Sequence, residues 1–95
     1  MATGVLERQL AKSLDLRLSV FRTKIQNDTL DKATELPVLV YLISEVVRPC
    51  CCMLCNKQKL AEMLALTQVC AGKTALIEEL ATLVYHDLAR CNGLG

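Results

Sequence analysis

Apolar residues recur along this chain at helical intervals in three places and crowd together in a fourth. Ala11, Leu14, Leu18, Phe21 and Ile25 are spaced three and four apart, which lines them along one side of a helix. Leu6 and Leu10 extend that face, so the pattern predicts a first helix from about Val5 to Asn27. Arg8, Lys12, Asp15, Arg17, Arg22 and Lys24 lie mostly off the stripe and read as its solvated side, while Leu16 and Val20 form a second apolar side. Asn27-Asp28-Thr29 ends the element, because short polar side chains compete for backbone hydrogen bonds and tolerate turns. A connector from Thr29 to Glu35 follows, with room for one helical turn.

The crowded stretch, LPVLVYLISEVVRPCCCMLC, spans Leu36 to Cys55. From Pro37 to Val47 only Ser44, Glu45 and the tip of Tyr41 are polar, so the pattern shows no solvent-facing stripe and predicts an element buried nearly all round, with Leu42 in the core. Pro37 suits a first helical turn and Pro49 marks the stop. No second strand-like run exists for it to pair with, so helix is the reading. Glu45, Arg48 and Pro49 leave only about 8–12 uninterrupted apolar residues, against the roughly 18–20 that a membrane span requires.

Beyond the cysteines, Asn56 is a candidate N-cap for a third helix carrying Leu60, Met63, Leu64, Thr67, Cys70 and Ala71 on one face. Gly72 reads as a break or kink. Ile77, Leu80, Val84, Leu88 and Cys91 define a fourth face, and Asn92-Gly93 a C-terminal stop. The expected fold is therefore all-α: one domain over residues 1–95, a bundle of three long or four shorter helices around a buried central helix at about 36–48.

Composition changes this picture in one respect. Hydrophobic residues make up 53% of 95 positions, more than a small monomer easily hides, since a chain of this length buries only about 60–65% of its unfolded surface. A four-helix core shelters the inner side of each helix but leaves Leu16, Val20, Leu66, Leu76 and Leu83 on flanking sides. These five are the candidate partner-binding residues. The expected occupant is an amphipathic helix of a different protein, as in a small adaptor or chaperone-like subunit, with a second copy of this chain as the alternative.

Charge excludes more than it suggests. Seven basic and six acidic residues precede Pro49 and four of each follow it, so no basic stripe is set apart, and three aromatic residues are too few for a base-stacking platform. Nucleic acid is not an expected partner. The first fifteen residues carry charge from Glu7 onward and contain no apolar core of a secretory signal, so a cytoplasmic location is expected.

Six cysteines could nominally pair, but four are crowded between Cys50 and Cys55, too close for relaxed bridges, and they are read as reduced thiols. Cys52-Met53-Leu54-Cys55 has the spacing at which two thiolates can face one zinc ion, and a full site would need Cys70, His86 or Cys91 as well. Alternatively Cys50, Cys51, Cys52 or Cys55, beside an apolar helix and near Arg48, Lys57 and Lys59, could be acylated; only then is a membrane expected as a partner. The favoured reading is simpler: Cys70 and Cys91 fall on apolar faces as small hydrophobes, and neither metal nor cofactor is expected.

Ala71-Gly72-Lys73-Thr74 resembles the end of a phosphate loop, but position 67, where that loop needs its first glycine, is threonine, and no strand precedes it. His86 has no matching nucleophile or acid at a known spacing, and Glu78 and Glu79, as helix neighbours, do not face one another. No catalytic constellation assembles, and an enzyme is not expected.

Overall fold

The computed structural model describes residues 3–50 and 56–91, and for Thr3 and Cys91 the backbone only. Among the described residues all regular structure is helical: α1 (Thr3–Arg17), α2 (Arg22–Gln26), α3 (Leu36–Val47), α4 (Lys57–Ala65) and α5 (Thr74–Cys91), with 3₁₀ turns at Ser19–Phe21 and Arg48–Cys50. The α1 helix packs on α3 and α4, and α5 packs on the same two, so the four longer helices surround one core. Leu14 of α1 with Leu18 just after it, Leu39 and Ile43, Leu60 and Leu64, and Leu80 and Val84 are among the fully buried residues of that core. The radius of gyration, 12.3 Å, equals the roughly 12 Å expected of a compact chain of this length.

The single long first helix expected from the stripe is divided. The chain leaves α-geometry after Arg17, passes through a 3₁₀ turn and resumes as α2. Ser19 and Val20 are weak helix formers and both are exposed, so no burial offsets their preference. The stripe survives the break: Ala11, Leu14, Leu18 and Ile25 are buried and Phe21 is half-buried. The end of α2 is a Schellman motif: the Thr29 N–H bonds the Lys24 carbonyl at 2.9 Å and the Asp28 N–H that of Ile25 at 3.3 Å. Asp28 takes the left-handed position with φ of 58°, one of the few residue types to do so readily.

The α3 helix begins with Leu36 and Pro37 and stops at the Arg48-Pro49 turn, close to its expected bounds. It is not enclosed on every side. Leu36, Leu39, Ile43, Ser44 and Val47 are buried, but Pro37, Val38, Tyr41 and Glu45 face solvent and Leu42 is only half-buried. On this outer side the Tyr41 hydroxyl donates to Glu45 at 2.7 Å, and Glu45 also pairs with Arg17 of α1 at 3.5 Å. The adjacent carboxylate raises the Tyr41 pKa through that hydrogen bond and then through its charge.

The α4 helix starts where expected, with the Asn56 side chain accepting the Lys59 N–H at 2.7 Å. It ends six residues before Ala71, where the apolar spacing had carried it. Thr67 instead turns its hydroxyl back onto the Leu64 carbonyl at 2.6 Å and accepts the Cys70 N–H at 3.3 Å, while Val69 and Cys70 enter the core from a turn. Gly72, with φ of +78°, closes that turn and confirms the break before α5. The Asp15 carboxylate, reached from α1, accepts the N–H groups of Gln68 at 2.8 and 3.1 Å and of Val69 at 3.0 Å. Gln26 adds bonds to the Val69 and Ala71 carbonyls, and Lys73 pairs with Asp28 at 3.2 Å. Asp15 is thus half-buried and structural, not part of a solvated face.

Two outcomes follow. Asp15→Ala leaves two backbone donors of the 66–73 turn without an acceptor and lowers stability by about 1–3 kcal/mol, with Asp15→Asn intermediate, as measured by urea unfolding. Glu35, which accepts from Lys24 and from the Asp31 N–H, has its carboxyl held below the ordinary value by these two bonds, that of Lys24 first. A depressed folded-state pKa means a contribution present above the unfolded value and lost as pH falls through the folded one. Acid titration of stability is therefore shallower in Glu35→Gln than in the parent across the carboxylate range; identical curves would contradict it.

Candidate partner-binding surface

Residues Leu16, Val20, Leu66, Leu76 and Leu83 do not meet on one face. Leu16 and Val20 project outward from α1 and the turn after it, Leu66 closes α4 beside the α1 seam, and Leu83 lies on α5 facing α3. Four of them are exposed. Leu76 is half-buried and packed against the core, so the chain covers most of it itself. The accessible surface of 5623 Å² is close to the roughly 5,400 Å² that a monomer of this mass exposes.

Of the five, Leu83 borders the most apolar of several concavities. Between α3 and α5 a groove of about 560 Å³ has Leu36, Pro37, Val40 and Leu83 as its apolar lining and Lys32, His86, Asp87 and Arg90 at its polar margin. Its position follows from local chemistry. Pro37 and Val40 stand on the side of α3 next to its buried stripe, and Leu83, 38% exposed, on the corresponding side of α5. Ion pairs fix the two walls: Lys32 to Glu79 at 3.1 Å before α3, and Arg48 to Asp87 at 3.5 Å after it. Asp87 is shared with Arg90 at 3.5 Å. Sequence reasoning placed Leu83 here and missed the α3 wall, because a run apolar at every position carries no periodicity to say which residues face out.

The cysteine chemistry does not converge among the described residues. Cys70 precedes α5 and His86 stands well along it, Thr74 to His86 alone spanning about 18 Å of helix. Cys51, Cys52 and Cys55 lie outside the described residues, as does the Asn92-Gly93 stop, and the Cys91 side chain is not described. No group of three or more candidate metal ligands occurs among the described residues. His86 sits on the exposed side of α5 with its ring edge-on to Tyr85, centroids 5.7 Å apart. At the phosphate-loop-like segment, Lys73 is engaged by the Asp28 carboxylate.

Burial pushes the Cys70 thiol above its ordinary pKa, only partly countered by its hydrogen bond with Thr67. A protonated, enclosed thiol is a poor nucleophile. Iodoacetamide labelling read by peptide mass spectrometry should therefore leave Cys70 unmodified in native protein and label it in denaturant; prompt native labelling would show that the 66–73 turn opens. No protein-family model, curated protein or solved structure matches this chain.

Proposed function

We propose that this chain is a non-catalytic binding module that holds an amphipathic helix of a partner protein in the α3–α5 groove. The observation that carries this reading is the groove's composition: Leu36, Pro37, Val40 and Leu83 form an apolar floor, bordered by Lys32, His86, Asp87 and Arg90. A floor of that kind takes side chains at i, i+3, i+4 and i+7 of a helix, and the charged margin sets its direction and register. Both walls are helices packed on each other in the bundle, so the groove is preformed and little ordering cost attends binding.

Photocrosslinking tests this directly. Benzoylphenylalanine at position 83 should capture, in cells, a peptide whose apolar residues repeat at helical spacing, and the yield should fall at least tenfold with Val40→Glu, since a charge facing an apolar anchor costs more than about 1.4 kcal/mol. Circular dichroism of Val40→Glu confirms that the bundle persists. Crosslinks confined to extended peptides, or unchanged by Val40→Glu, would remove the groove as the seat of binding.

A further inference from the structure

The folded chain separates charges that are interleaved in its sequence. Between Val5 and Gln26 the acids are Glu7 and Asp15: Glu7 is buried, and Asp15 is half-buried, accepts the N–H groups of Gln68 and Val69, and lines one shallow depression with Arg8 and Lys12. Arg8, Lys12, Arg17, Arg22 and Lys24 of the same segment are all exposed. Arg17 and Lys24 are paired with Glu45 and Glu35, but no acid among the described residues pairs with Arg8, Lys12 or Arg22.

The uncovered apolar side chains stand among those three cations. Val5, Leu16 and Val20 are 52%, 80% and 77% exposed. On α1, Val5, Arg8, Lys12 and Leu16 fall within an arc of about 80°, turned away from Ala11, Leu14 and Leu18. Val20 in the 3₁₀ turn and Arg22 at the start of α2 are exposed as well. Leu66 adds to its flank, bordering a shallow depression with Arg8 and Lys12. Glu62 of α4, exposed and bordering Leu66 on its other side, accepts from Gln58 at 3.3 Å.

We propose that this outer face of α1 and α2 docks onto an anionic lipid surface. Two features select lipid over a protein partner. The apolar residues project from a convex helix, where a rigid partner would need a matching furrow but a headgroup layer simply deforms around them. The unpaired cations lie beside them at the same level, the arrangement of a helix lying in the interface plane with its apolar residues sunk into the acyl boundary. No helix among the described residues is long and apolar enough to cross a membrane, so the association is peripheral and reversible. It is distinct from the groove beside Leu83 and does not depend on it.

The chain has no tryptophan, which provides a clean reporter. In Val20→Trp, vesicles of phosphatidylcholine mixed with phosphatidylserine should shift the emission to the blue, and cosedimentation should show partitioning about a hundredfold above that to phosphatidylcholine alone, the joint effect of three surface cations. Replacing Arg8, Lys12 and Arg22 with glutamine should remove that difference without changing the thermal transition, because all three are exposed. Leu16→Asp should abolish binding to both vesicle types. A Leu83→Trp control should not respond to vesicles. The proposal is overturned by an unshifted Val20→Trp with anionic vesicles, by equal binding to neutral ones, or by binding of an acidic amphipathic peptide at this face without any binding of vesicles.

Discussion

Each of the four longer helices has one stripe that must leave water, and the only way to satisfy all four at once is to turn them onto a common axis. Leu14, Leu18, Leu39, Ile43, Leu60, Leu64, Leu80 and Leu88 are all at or near zero exposure there. At about 1.5–3 kcal/mol for each fully buried side chain, this is the dominant favourable term, and conformational entropy opposes it at similar size. The connections are therefore secondary in energy but decisive in geometry. The 66–73 turn has to fold back within a few residues so that α5 can lie against α4.

That turn shows how a polar residue can hold an apolar arrangement in place. Thr67 is buried with its hydroxyl satisfied locally, Gly72 supplies the left-handed step, and Asp15 reaches across from α1 to receive two N–H groups the turn cannot pair itself. A buried or half-buried N–H without an acceptor costs about as much as a core methyl group or two. The same carboxylate is half-buried at the edge of the depression that Arg8 and Lys12 also line.

The two surfaces differ in kind. The α3–α5 groove is concave, walled by two helices pinned by Lys32–Glu79 and Arg48–Asp87, and suited to a shaped ligand. The α1–α2 face is a ridge with free cations, suited to a surface that yields. Their separation on the bundle means that occupation of one does not require vacancy of the other.

The sequence by itself determined the elements and their inward faces. The spacing of Leu14, Leu18 and Ile25, of Leu60, Met63 and Leu64, and of Ile77, Leu80, Val84 and Leu88 identified residues that are buried in the fold, and Pro37, Asn56 and Gly72 marked boundaries that hold. These were legible because helix periodicity and capping are local, set by a few neighbouring residues. Tertiary structure decided what depends on distant residues: that Asp15 caps a turn 53 residues away, that Leu76 is covered by its own chain while Val38 and Tyr41 are not, and that α1 breaks at Ser19. A uniformly apolar run such as 36–47 has no period to reveal its outer side, and a charge counted along the chain has no direction. Only packing supplies both.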